Sequence, residues 1–557
     1  MVGVTTLHET NIDGVRCFWV DTGRPTLAAS LLFRQGMCDE PLNESGWLHM
    51  LEHLSLHGRG GGTLHVNGSV SLLQTSFDAH GPAEAVASHL SDVSRWLAAP
   101  RFEDFEKERG VLRAESAGRG GPALRALGWR FGARGPGVCT YAEPGMGRAT
   151  PEALAERAGR VFTSANAVLV LDGPPPTSLT LGLPLGEFLP PPAAVPCEDT
   201  LPAAYVDEGG VTISGLVGRS QTATIVPSLF ERMLRDKLRH DAGAAYAPWS
   251  QYQAVDGEKA VIVAGSDVNA ELGETLVPVV LGALKELSDN GVPAEHLKDQ
   301  IESMVQGVSD PYNAFGLAFR AANSALLGDE PETFEEIVAA IRAVNAESIA
   351  TPMEQFAASM MLGIPGRTTW KDELPMLRIR PDQTLSPSKR FRHQDWPASG
   401  LVLAADDTDV TISNGEVLRS MRLAEIEAMF AYEDGGRYLV SSDGWTLGLE
   451  FDEWRGGGGA RTIIDAAVPS ERTLPMPIRS YPTSDTRMPA LKRWWKGLGR
   501  LMVSPAGFWI GVVFWSAILL AGVLTTTPHL IFLPIVWIAV LSYQRDKARK
   551  ASHSHST

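Results

Sequence analysis

Gly46-Trp47-Leu48-His49-Met50-Leu51-Glu52-His53-Leu54 is the stretch around which the rest of the chain is read. It places His49, Glu52 and His53 at positions i, i+3 and i+4. On an α-helix those three side chains share one face within a single turn. Two imidazoles one turn apart can hold a Zn²⁺ ion through ring nitrogens, and the carboxylate between them lies within reach of a metal-bound water. The order is H-x-x-E-H, an inversion of the more familiar H-E-x-x-H. Leu48, Leu51 and Leu54 supply helical apolar spacing, and Asn43 or Ser45 stands where an N-cap is wanted.

Such a site needs a third protein ligand. In the run Phe105 to Ser116, Glu108 and Glu115 are seven residues apart, two helical turns, and so face the same way. Glu115 is the candidate ligand. Glu108 is the candidate outer partner, accepting a hydrogen bond from a ligand histidine. Taken alone, the pair would also suit a solvated acidic helix face.

At these residues the chain resembles the insulinase/pitrilysin-type zinc metallopeptidases, the inverzincins. Arg34-Gln35-Gly36 and Glu44-Ser45-Gly46 resemble that family's run into its catalytic helix. Val66-Asn67-Gly68 and Thr75-Ser76-Phe77 resemble its next strands, and Leu97 to Phe102 precedes the glutamate helix. The interval from His53 to Glu115 is shorter than usual for the family, and the Gly58 to Gly62 run sits where a short helix would follow, so the deletion is placed there. Further on, Leu238-Arg239-His240-Asp241-Ala242-Gly243-Ala244-Ala245-Tyr246-Ala247 resembles the family's second-half signature. The resemblance implies that Arg239 and Tyr246 reach the zinc site of an opposing half and bind the substrate carbonyl. Both side chains can donate to a tetrahedral oxyanion. It also implies peptide or unfolded polypeptide substrates, and a homodimer of twofold symmetry with shared active sites.

The chain has 557 residues, enough for several domains with their own cores. A formal net charge of −16 argues against general affinity for nucleic acid. Cys17, Cys38, Cys139 and Cys197 are scattered without C-x-x-C spacing and read as thiols of a reducing compartment. The first residues lack a basic flank and an apolar core, so no secretory signal is expected.

The expected fold is α+β, with two homologous α/β sandwich domains, a small β-rich module and a C-terminal transmembrane hairpin. The zinc-binding domain spans 1–172, with strands over Val15 to Val20 and Leu27 to Phe33 and a helix over Ala83 to Ala98. Residues 118–147, rich in Gly and Arg, give no clear reading. A Pro-rich linker covers 173–204, and a second domain without the zinc motif covers 205–365. A connector over 366–399 leads to a β-rich, faintly pleckstrin-homology-like module over 400–485, with a closing helix around Arg461 to Ala467. A basic segment, 486–507, precedes two apolar runs within 508–543, about 25 Å and 21 Å long at helical rise. Positive residues on both sides, including the 544–557 tail, predict a two-helix membrane anchor with the catalytic domains on the cytoplasmic side.

The chain thus reads as a membrane-tethered zinc endopeptidase, with His49, His53 and Glu115 as ligands, Glu52 as general base, and Arg239 and Tyr246 completing the site. Two other readings stand beside it: a catalytically silent, peptide-binding member of the same fold, and a membrane scaffold or sensor built on the C-terminal module.

Overall fold

Apolar alternation near the N-terminus, and again after residue 202, resolves into two mixed sheets. The computed structural model describes residues 6–116, 120–197, 200–207, 210–240, 248–266, 270–365, 374–377, 389–396, 399–414 and 418–479. They fall into two units, Met1–Arg378 with Val440–Thr446, and Ile379–Leu439 with Leu447–Thr557.

In the first unit, one sheet is built from β1 (His8–Ile12), β2 (Val15–Trp19), β3 (Leu27–Phe33), β4 (His65–Val70), β5 (Thr75–Gly81) and β6 (Ala167–Leu171), in the order β1-β2-β6-β3-β5-β4. Only β2 and β6 run parallel among its neighbours. Its helices are α1 (Trp47–Leu56), α2 (Ala83–Ala98), α3 (Phe105–Ser116), α4 (Pro122–Phe131) and α5 (Pro151–Val161). α2 buries Val86, Leu90, Val93 and Leu97, the stripe that a helix facing a sheet requires. α5 starts at Thr150, whose hydroxyl accepts from the Ala153 amide, with Pro151 at the first helical position.

The second sheet comprises β7 (Ala203–Asp207), β8 (Val211–Gly218), β9 (Pro248–Ala254), β10 (Lys259–Ser266) and β11 (Met361–Pro365), in the order β7-β11-β8-β10-β9. With it go α6 (Val226–His240), α7 (Ala270–Asn290), α8 (Ala294–Ser309), α9 (Ala314–Leu326), α10 (Phe334–Ala343) and α11 (Ala346–Ala358).

The two halves exchange helices. One face of the first sheet, through Phe18, Val20, Leu32, Val168 and Val170, packs on Leu317, Ala318, Ala321 and Ala322 of α9. In return α4 sets Ala126, Leu127 and Phe131 against Val261 and Val263 of the second sheet. Arg130, on the same helix and 1% exposed, donates to the carbonyls of Ser359 (2.9 Å) and Ser214 (3.0 Å). Arg34, fully buried, ties the Pro-rich linker to the first half by donating to Leu189 O (2.9 Å) and Leu73 O (2.6 Å), beside its ion pair with Asp39.

The C-terminal module is built from β12 (Lys389–Arg392), β13 (Val402–Ala405), β14 (Asp409–Ser413), β15 (Leu418–Arg422), β16 (Ile426–Tyr432), β17 (Arg437–Ser441), β18 (Thr446–Leu449), α12 (Gly457–Ala467) and β19 (Thr473–Met476). They form two four-stranded sheets, β12-β13-β14-β15 and β18-β17-β16-β19. The closing helix begins four residues before the expected Arg461.

The expected transmembrane hairpin, and with it the multi-pass membrane location, is corrected here. Among the described residues no helix is long and apolar enough to cross a membrane. The longest of the described helices, α7 with 21 residues, carries Lys285, Glu286 and Asp289, charges that a lipid-facing helix excludes. Residues 508–543 lie outside the described residues.

Candidate metal centre

α1 is started by a buried acid and not by a side-chain cap on its own threshold. Gly46 takes the N-cap position in the left-handed region, φ 91°. Glu40, 3% exposed, accepts from the amides of Gly46 (2.9 Å) and Leu48 (2.7 Å). The cap expected at Asn43 or Ser45 is therefore supplied from further back, and Ser45 Oγ donates to Leu42 O instead. Burial raises the Glu40 carboxyl to about 7, against the pull of the Leu48 amide, Arg157 and the Gly46 amide, with Glu143 adding to the rise. A Cβ at Gly46 would come within 2.8 Å of Glu143 and Met146, so glycine lets the Glu143 turn close on the helix.

From this helix His49 and His53 project one turn apart, ring centroids 4.8 Å from each other and planes at 89°. α3 brings Glu115 up to them. Its Oε2 lies 3.4 Å from His53 Nε2 and 3.9 Å from His49 Nε2. A tetrahedral zinc with bonds near 2 Å separates its donors by about 3.3 Å, so the three groups stand close to that spacing. These three form the one His/Cys/Asp/Glu group among the described residues with its ligand atoms all within 4.8 Å of one another.

Each histidine is anchored through its other nitrogen. His49 Nδ1 is 3.0 Å from Glu143 Oε2, and His53 Nδ1 is 3.2 Å from Glu108 Oε2. With both Nδ1–H groups donated to carboxylates, each Nε2 keeps its lone pair for the space beside Glu115, and the tautomers are assigned on that basis. Two imidazoles with fixed tautomers and one carboxylate make a donor set suited to Zn²⁺.

Glu52 lies beside this group, its Oε2 3.7 Å from His53 Nε2 and 4.0 Å from His49 Nε2. It is 5% exposed and rests on β4 at Gly68, where a Cβ would overlap its carboxylate. The Glu115 side chain, by contrast, is 50% exposed, so the group opens to solvent on the α3 side.

The structure thus gathers His49, Glu52, His53, Glu108 and Glu115. Arg239 falls within α6, but its side chain, like the whole of Tyr246, lies outside the described residues. Sequence reasoning passed over Glu143, which sits in a turn at φ 47° and carries no periodic signal. It also passed over His57, whose Nδ1 lies 2.7 Å from Glu108 Oε1. The second of these was visible: His57 continues the four-residue spacing of His49 and His53.

The fold is similar to that of solved M16-type peptidases. Among solved structures it is similar to the first half of the periplasmic protease PqqL from Escherichia coli, at 15% identity and TM-score 0.52, over 65% of this chain and 92% of that one. A protease from Helicobacter pylori matches at 13% identity and TM-score 0.53, over 65% of this chain and 100% of that one. A peptidase M16 inactive domain from Pseudomonas fluorescens matches at 14% identity and TM-score 0.53, over 66% and 99%. Against the full PqqL chain, this one spans 56% of the length. No protein-family model matches the sequence, and no curated protein does.

Proposed function

We propose that the protein is a zinc-dependent endopeptidase acting on peptides or unfolded polypeptides. The observation that carries the reading is the convergence of His49 Nε2, His53 Nε2 and Glu115 Oε2 beside the enclosed Glu52 carboxylate. A zinc ion held by those three residues supplies a Lewis acid and makes water acidic enough to give up a proton near neutral pH. Glu52 is the general base: it takes a proton from the attacking water and returns it to the amine nitrogen as the C–N bond breaks. Glu143 and Glu108 keep the two imidazoles in the tautomer and orientation that this requires.

Arg239 and Tyr246 donate to the oxyanion that forms on the scissile carbonyl. They come from a second copy of the chain, in a homodimer.

A catalytically silent, peptide-binding protein is the second reading, favoured by the equal likeness to an M16 inactive domain. Zinc content and cleavage of a quenched-fluorescent peptide library, measured on full-length wild type and Glu52→Gln, separate the two. Zinc in both proteins with cleavage by wild type alone supports the enzyme. Zinc in both without cleavage by either favours the silent reading, and a wild type without zinc refutes the metal centre.

A further inference from the structure

The proposed ligands come from two helices, so their spacing depends on how α1 and α3 are held together. His57 is the residue that clamps them. It ends α1 at φ −54° and ψ 125°, one turn beyond His53, and its side chain is 33% exposed. Its Nδ1 is 2.7 Å from Glu108 Oε1, and its Nε2 is 3.5 Å from Asp104 Oδ2. Asp104 and Glu108 are themselves joined at the start of α3, where the Glu108 amide donates to Asp104 O at 3.0 Å. The ring therefore meets two carboxylates, one from the residue just before α3 and one from its first turn.

Glu108 is shared. One oxygen faces His53 Nδ1 at 3.2 Å and the other faces His57 Nδ1 at 2.7 Å. A carboxylate held by a single N–H can still rotate about its terminal torsion, whereas one held at both oxygens is fixed in plane and direction. The His53 side chain is 20% exposed against 9% for His49, so packing constrains it less and its acceptor does more of the orienting.

We propose that His57 is a positioning residue for the metal centre: by holding the second oxygen of Glu108 it fixes the carboxylate that orients His53 and sets the approach of α3, which carries Glu115. The inference rests on the zinc reading above. It concerns the affinity and geometry of the site, which are measurable apart from turnover.

The test is competition for zinc between a chromophoric chelator and the full-length protein, as wild type, His57→Ala, His57→Leu and His57→Asn, at one pH. Loss of an outer-shell hydrogen bond weakens metal binding by about tenfold or more, so His57→Ala and His57→Leu are expected to shift the dissociation constant by about tenfold. Asn carries an N–H where Nδ1–H stood, and is expected to restore binding to within about threefold of wild type. The visible spectrum of the cobalt(II)-loaded protein should change in His57→Leu and return in His57→Asn. His57→Leu matching wild type, or His57→Asn as weak as His57→Leu, overturns the proposal while the metal centre stands. A wild type that binds no zinc overturns both.

Discussion

The Glu52 carboxylate lies against Gly68, in the space that any other residue's Cβ would occupy. Gly68 is paired with Phe77 in the middle of the β4–β5 ladder, so the strand cannot easily retreat. Gly68→Ala should therefore push the Glu52 carboxylate, the proposed base, aside while leaving His49, His53 and Glu115 in place. Misplacing a reacting group by about 1 Å costs roughly 100-fold, and that is the expected fall in kcat. Steady-state kinetics alongside zinc content check it: full activity in Gly68→Ala would mean that Glu52 is not the base.

Glu143 receives His49 Nδ1 at 3.0 Å and is 6% exposed. Glu143→Ala removes that acceptor and frees the ring to turn. Zinc affinity, read by chelator competition, should fall by about 10- to 100-fold. Unchanged affinity would show that the packing around His49 suffices to hold it.

Arg130 fastens α4 to the second sheet through the carbonyls of Ser214 and Ser359. Burial lowers its guanidinium to about 10, which leaves it charged at neutral pH. Arg130→Met keeps the apolar stem but strands both carbonyls without their donor, at a cost of about 3 kcal/mol. Urea denaturation at pH 7 measures this, and a loss below about 1 kcal/mol, the typical net worth of one hydrogen bond, would mean that other donors reach those carbonyls.

His89 on α2 is 5% exposed, and its Nε2 has no hydrogen-bond partner among the described residues. Burial lowers its pKa to about 4, with Arg59 acting in the same direction and Asp92 against. The ring is neutral in the folded chain, while the unfolded chain takes up a proton near pH 6.5. Stability from this group is thus present above about pH 6.5 and is lost as pH falls toward 4. His89→Leu should lack that loss, so its stability relative to wild type should rise by on the order of 2 kcal/mol between those limits. Parallel denaturation curves at a series of pH values decide it, and a constant difference would contradict the assignment.

What the sequence made legible was local and periodic. Leu27–Phe33 and Ala83–Ala98 appear with the bounds that alternation and helical spacing predict. The seven-residue spacing of Glu108 and Glu115 likewise puts both carboxylates toward α1. What escaped depends on distant partners. Glu40 replaces the expected cap because it folds back onto the helix start, and no pattern in a single segment announces that. Glu143 reaches His49 from a turn in a Gly-rich stretch without periodicity. In the C-terminal module, the arginines of Leu418–Arg422 interrupt the apolar alternation that marks a strand.

Because α4 sits on the second sheet and α9 on the first, neither half owns a finished interior. Each would leave one sheet face bare if produced alone, a surface of valine, leucine and phenylalanine that invites aggregation. Leu185 in the intervening segment is 89% exposed, a ready point for a protease to nick. Such a nick would leave two fragments interlocked, each still supplying the other's missing layer. Co-expressed as separate pieces, they should find each other and rebuild the whole.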